Sequence, residues 1–277
     1  MYRHCRSLRV AASALALSVA MPAMAPAATR DGAGERGYCP ARPGLGTTPC
    51  TIAPGRVSAE VAVADLDRAS DGAVRTDSLL VGDLFLRLGI ARTAEVFAEW
   101  TPHGTLWTRV PGRPVARTTG MGDVTVGTKV NLAHPDGSGL SLAVAPFAGL
   151  PVGNRDFGAG EWNYGVQVPA SYALSGTLSL QLTTEFDMAA DRDGRGRHPA
   201  YSMVGGVGAA IAHGLSATVE LGAGRDHDPE DTTVQTVAAA SVGYMPSPRL
   251  QLDAGTVLGL GGPASDLRLY VGISRLF

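Results

Sequence analysis

From Val57 to the C-terminus the chain alternates apolar with small or polar residues at a period of two, and this habit restricts its folds more than any motif does. A period of two puts successive side chains on opposite faces of a strand. In DVTVGTKVNL, Val124, Val126, Val130 and Leu132 share one face, while Asp123, Thr125, Gly127, Lys129 and Asn131 share the other. TLSLQLTTEFDM repeats the arrangement, with Leu178, Leu180, Leu182, Phe186 and Met188 opposing Ser179, Gln181, Thr183, Glu185 and Asp187. About twelve such segments occur, each near the roughly ten residues that a tilted membrane strand requires. They are expected near 57–64, 78–90, 93–101, 122–132, 139–150, 161–173, 177–188, 200–212, 215–224, 232–244, 249–260 and 266–277. No helical period of useful length lies between them, which argues against alternating β-α units.

The connections fall into two classes. Brief links at ART, AHPDGS, SG, HG and MPSP alternate with longer ones at ADLDRASDGAVRT, TPHGTLWTRVPGRPVARTTGM, PVGNRDFGAG, AADRDGRGRHP and RDHDPED. Outer-membrane barrels keep short turns in the periplasm and longer loops outside. A periplasmic C-terminus puts every long loop on the outer side, and only the final GPAS link is short there. Aromatic residues follow the same frame. Trp100, Trp162, Tyr164, Phe186 and Tyr201 fall at the outer rim, and Tyr172, Tyr244 and Phe277 at the inner one, all on the apolar face. A soluble β-sandwich would need two apolar inner faces and would show no such alternation of loops. The expected fold is therefore all-β, a transmembrane antiparallel up-and-down β-barrel of about 12 strands over residues 57–277.

The N-terminus has a basic start (Arg3, Arg6, Arg9), an apolar stretch from Val10 to Ala20, and then small residues with prolines. This is the form of a cleaved secretory signal, expected to span 1–27 and to leave a mature chain beginning near Ala28. Cys5 precedes the apolar run and leaves with the signal. Cys39 and Cys50 remain, and in an oxidising compartment a local disulfide is their natural use, two free thiols being the alternative. Residues 28–56 are rich in Pro and Gly without strand period, and form either a periplasmic N-terminal segment or a small plug tucked into the lumen. A net charge of −2 offers no basic excess for nucleic acid.

Three stretches carry a family resemblance: GMGDVTVGTKVNL at 120–132, PFAGLPVGNRDFGAGEWNYGVQVPASYAL at 146–174, and the ending LQLDAGTVLGLGGPASDLRLYVGISRLF. The sequence resembles the outer-membrane family named for the meta-pathway of phenol degradation, whose members are often labelled transporters. Its motif is similar to Gly122-Asp123 with Gly127, Lys129 and the later Leu150-Pro151-x-Gly153, and its Pro-Gly step before an inward glutamate is similar to Pro54-Gly55 and Glu60. Where that family often has Asp-Arg-Pro, this chain has CPARPGLGTTPC. The resemblance implies a barrel associated with passage of aromatic or other hydrophobic compounds.

Read strand by strand, the inward face carries Glu60, Asp83, Glu95, Glu99, Asp123, Glu185, Asp187, Glu220 and Asp253 against Arg87, Lys129, Arg249 and Arg268. As a set these line a lumen that passes a small solute and disfavours anions. Taken singly, each carboxylate is better suited to brace a narrow barrel against a neighbouring cation. The expected function is an outer-membrane channel or transporter for small, hydrophobic or aromatic compounds, with outer-membrane lipid, the barrel-insertion machinery and a small solute as partners. A structural or surface-interaction barrel is the alternative. A barrel hydrolase fits least, since His103, His198 and His227 in the outer loops have no placed serine partner. RDHDPED, with Asp226, His227, Asp228, Glu230 and Asp231, has carboxylates for Ca²⁺ but lacks the spacing and internal glycine of a calcium loop, and is read as a solvated acidic loop. No metal site, catalytic group or cofactor is expected.

Overall fold

A computed structural model describes residues 36–277; the expected signal peptide at 1–27, Cys5 and the mature start near Ala28 lie outside the described residues. The strands run β1 (Val57–Asp71), β2 (Val74–Val81), β3 (Asp83–Ala91), β4 (Ala94–Trp100), β5 (His103–Arg109), β6 (Ala116–Gly120), β7 (Val124–Ala133), β8 (Leu140–Leu150), β9 (Asn163–Ala173), β10 (Leu178–Ala190), β11 (Arg197–Ala212), β12 (Leu215–His227), β13 (Thr232–Ser247), β14 (Leu250–Gly261) and β15 (Leu267–Leu276). All pairings are antiparallel. The ladder β15-β14-β13-β12-β11-β10-β9-β8-β7-β4-β3-β1 closes on itself where β1 pairs with β15. The ring therefore has 12 strands and leaves no edge, as the alternating pattern led one to expect.

Strands β2, β5 and β6 differ from expectation. The segments ADLDRASDGAVRT and TPHGTLWTRVPGRPVARTTGM were expected as loops but are largely strand. β2 and β3 pair with β1 in one frame, from Val57 opposite Leu88 to Asp71 opposite Val74. β5 continues β4 in the same way against β2 and β3, and β6 continues β7 against β5 and β4. The first wall strands thus project beyond the ring as a sheet, interrupted in a row at Gly82, at Thr101–Pro102 and at Met121–Asp123. Gly82 has φ +74°, and Pro102 has no N–H to donate, so the ladder bends there. The polar tips of these segments read as loops, whereas SLLV and TLWTR supply the β-branched and apolar residues that keep them paired.

The outer surface is the apolar one. All eight rim aromatics are exposed, as are Leu178, Leu180 and Leu182 in β10 and Leu269, Val271 and Ile273 in β15. Arg275, the one charge on that face of β15, has its guanidinium 5.2 Å from the Phe277 ring centroid. A continuous exterior of this kind is suited to hydrocarbon and matches the apolar band of an outer-membrane barrel. Among the described residues, buried apolar side chains form three small clusters, and each includes a residue from the segment before β1: Leu45, Ala41, or Tyr38 with Ile52.

That segment enters the barrel across β3. The Gly55 N–H donates to Gly89 O at 2.8 Å, and the Gly89 N–H donates to Arg56 O at 3.0 Å. A Cβ at position 89 would stand 2.1 Å from Ala53 O and 2.5 Å from Ile52 O, so only glycine allows this approach. Gly89→Ala is expected to cost at least about 1–3 kcal/mol through overpacking. The temperature at which the compact band on an SDS gel converts to the unfolded one should fall by several degrees, and an unchanged temperature would contradict the placement.

Candidate functional site

Residues 38–52 lie inside the barrel, bonded to inward side chains around most of its circumference. On β1, the Glu60 carboxylate accepts the Ala41 N–H at 2.7 Å and the Arg42 N–H at 2.9 Å. On β14, Asp253 holds the Arg42 guanidinium at 3.0 Å, and the Gln251 side-chain amide donates to Arg42 O at 2.6 Å. Glu220 of β12 accepts the Leu45 and Gly46 N–H groups at 2.8 and 3.0 Å. Thr183 of β10 accepts from Thr47 N–H and donates to Thr47 O. On β7, Lys129 Nζ donates to Thr48 O at 2.9 Å and the Asn131 amide to Pro49 O at 2.8 Å. Glu95 of β4 accepts the Ile52 N–H at 2.7 Å. A backbone without secondary structure has donors and acceptors that must all be satisfied when buried. Here the barrel wall supplies them.

Arg87 on β3 joins wall to segment. Its guanidinium donates to Glu60 at 3.1 Å, to Glu95 at 2.9 and 3.1 Å, to Cys39 O at 2.8 Å and to Cys50 O at 3.2 Å. Lys129 reaches Glu95 at 3.0 Å, and the side chains of Arg87, Glu60 and Glu95 have no exposed surface. Cys39 and Cys50 are disulfide-bonded, so Arg87 grips both ends of the closed loop between them.

Farther from the turns, Asp65 of β1 holds Arg268 of β15, Thr101 donates to Asp83 at 2.7 Å, and Gln167 of β9 donates to Glu185 at 2.7 Å. Glu99 and Asp187 are half-buried on the same inward faces as Glu95 and Glu185. Asp123 stands apart from this lining. Its two oxygens accept the Gly153 N–H at 2.8 Å and the Ala159 N–H at 2.7 Å, in a loop whose Phe157 lies against Gly104 of β5 and Gly120 of β6. A Cβ on Gly153 would meet Gly122 C at 2.7 Å, which gives the Gly122-Asp123 and Leu150-Pro151-x-Gly153 motif a steric reason. Arg249, read as inward, is exposed in the β13–β14 turn.

Arg42, Asp65 and Gln251 escaped the sequence reading. Strand register shifts between Ala62 and Ala64, so that Ala62 is buried, Val63 exposed and Asp65 buried again. Strict alternation from Glu60 points Asp65 outward; the bulge turns it in. Arg42 lies in a segment with no period to read.

At the loop end, His198 of β11 is buried among Asp191, Asp226 and Asp228, at 2.8, 2.7 and 3.7 Å. Burial opposes ionisation of Asp228, but the Arg192 and Glu230 N–H donors, with the nearby Arg192 charge, hold its carboxyl below the usual range. His227 Nε2 meets the Tyr201 hydroxyl at 2.8 Å, and His103 Nε2 meets the Thr105 hydroxyl at 3.4 Å. The partners of the three outer histidines are thus carboxylates, a phenol and a threonine, with no serine nucleophile among them.

Removing the Arg87 cation leaves two buried carboxylates without it. Arg87→Met is expected to destabilise the barrel by about 3–5 kcal/mol. Adding Glu60→Gln should recover part of that loss, because it removes one stranded charge and leaves the Glu95–Lys129 pair intact. Urea midpoints in detergent micelles check both, and a double variant no more stable than Arg87→Met would contradict the network.

A comparison with curated proteins finds no match. Among solved structures the chain is similar to a KdgM porin (11% identity, TM-score 0.48, covering 79% of this chain and 98% of that one). It is also similar to the translocator domain of the autotransporter NalP from Neisseria meningitidis (12%, 0.49, 79% and 87%) and to the CymD monoaromatic hydrocarbon channel (9%, 0.44, 82% and 89%). A family model described as the putative MetA-pathway of phenol degradation matches residues 41–274. With nearly all of the barrel and most of its occupant inside that match, the chain belongs to this family.

Proposed function

We propose that the protein is an outer-membrane channel that admits small, neutral aromatic compounds of the phenol type, and that residues 38–52 act as a plug that shifts to let them pass. The lumen carries this reading. Its occupant is joined to the wall by hydrogen bonds and ion pairs and, among the described residues, is continuous with the wall at β1 alone, so it can move without breaking the ring. Family membership supports the aromatic class. In this reading residues 1–27 are a cleaved export signal, the C-terminus faces the periplasm, and the loop end with Asp123 and His198 faces the outside.

The charge of the lining sets the preference. Among the described residues named above, Glu60, Asp65, Asp83, Glu95, Glu99, Glu185, Asp187, Glu220 and Asp253 face inward against Arg87, Lys129 and Arg268 of the wall and Arg42 of the segment. Nine carboxylates against four cations raise the energy of an anion in a narrow, partly dehydrated passage, while a neutral phenol is spared. Uptake of labelled phenol and labelled benzoate by intact cells tests this directly. Deleting the gene is expected to slow phenol entry several-fold and leave benzoate entry unchanged. Unchanged phenol entry, or an equal fall for both solutes, would contradict the proposal.

A further inference from the structure

We infer that Asp191, His198 and Asp228 bind a divalent transition-metal ion of the Zn²⁺ class at the loop end of the lumen, with Asp226 orienting the imidazole. Asp191 lies in the β10–β11 connection, His198 at the start of β11 and Asp228 in the β12–β13 connection, so a bound ion staples one outer loop to the next. Sequence spacing hid the group, because His198 and Asp191 are far along the chain from Asp226 and Asp228.

Two observations meet here. One donor atom from each of Asp191, His198 and Asp228 lies within 4.8 Å of the others. Independently, both nitrogens of a ring that is only 4% exposed stand against carboxylates: Nδ1 is 2.8 Å from Asp191 Oδ1, and Nε2 is 2.7 Å from Asp226 Oδ1. A neutral imidazole has one N–H, so one of these contacts has no hydrogen in it. The Nε2 contact forms no well-directed hydrogen bond. Either a second proton on the ring or a metal ion at Nδ1 relieves this, and only the metal ion also draws in Asp228 Oδ2, which at 3.7 Å from Nδ1 is beyond hydrogen-bond reach.

The geometry assigns roles. Nδ1 faces both Asp191 Oδ1 and Asp228 Oδ2, the latter at 3.7 Å. Zinc bonds of about 2.0–2.2 Å set tetrahedral donor separations on the order of 3.3 Å, which these two spacings bracket. With Nδ1 given to the ion the ring keeps its one N–H on Nε2, 2.7 Å from Asp226, and a small turn of the ring makes that contact the carboxylate hydrogen bond that fixes the tautomer of a metal-bound histidine. Asp228 is already held by the Arg192 and Glu230 N–H groups, so its second lone pair is pre-aimed. Gly196, at φ +114°, lets the β10–β11 loop close on Asp191, where a Cβ would stand 2.6 Å from Oδ2. An imidazole among the donors favours zinc-class ions over Ca²⁺, which takes about 6–8 oxygen ligands. Partial exposure of Asp191 and Asp226, at 14% and 22%, leaves a way in.

The test is a Zn²⁺ titration of the folded mature chain, free of any histidine tag, in detergent against a chromogenic chelator. Wild type is expected to take up one Zn²⁺ per chain without competition from excess Ca²⁺. His198→Ala should abolish that site, and His227→Ala should leave it unchanged. Asp226→Asn retains all three ligands and should weaken binding about 10–100-fold. Each variant is checked for the heat-modifiable band, so that Asp226→Asn still decides the matter if His198→Ala does not fold. No stoichiometric site in the wild type, equal affinity in folded His198→Ala or Asp226→Asn, or displacement by Ca²⁺ would overturn the assignment.

Discussion

The guanidinium of Arg87 is the point at which wall and occupant become one structure. It binds carboxylates from β1 and β4 and the carbonyls of both disulfide-bonded cysteines, with no surface open to solvent. Dehydrating a charge costs several kcal/mol, and the cost is recovered only when nearly every donor and acceptor finds a partner. Glu60 and Glu95 are partnered again by backbone N–H groups of the segment and, for Glu95, by Lys129. The inward charges are therefore a lattice that has the segment as one of its components. Without the segment they would need water in its place.

This construction inverts a soluble domain. Apolar side chains face outward, the interior is polar, and each of the three small apolar clusters inside needs a residue of the segment. A passage sealed by a large apolar core would resist opening, since every buried methylene adds about 0.8 kcal/mol. One sealed mainly by hydrogen bonds exchanges them for water, at about 1.5–3 kcal/mol each where a charged group takes part. Several such bonds in parallel keep the segment seated.

The wall was legible because its determinants are local. Alternation, the two classes of connection and the rim aromatics all survive in the linear sequence, and together they indicated a closed barrel of about twelve strands. The misread parts depend on partners distant in the chain. The stretches around Asp71 and Val110 look like loops until they are set beside one another, where continuous pairing makes most of each a strand. Asp65 turns inward through a bulge that no alternation reveals, and Arg42 owes its role to Asp253, 211 residues away. Glu60, Arg87, Glu95 and Lys129 were found as inward charges, but what they hold was not, because the segment between Cys39 and Cys50 has no periodicity. His198 was passed over for want of a serine, while its actual neighbours come from two loops.

The central claim is that the segment fills the lumen and must leave its seat for a solute to pass. A Cβ at Gly46 would lie 3.7 Å from the Thr183 Cβ, close to the mean of about 3.8 Å in disulfides. The direct measurement is single-channel conductance of Gly46→Cys/Thr183→Cys, in a background with Cys39→Ser and Cys50→Ser, before and after reduction. The account predicts no openings while the bridge is closed and openings like those of the unbridged background once it is reduced. Equal conductance in the two states would show that solutes pass without the segment moving.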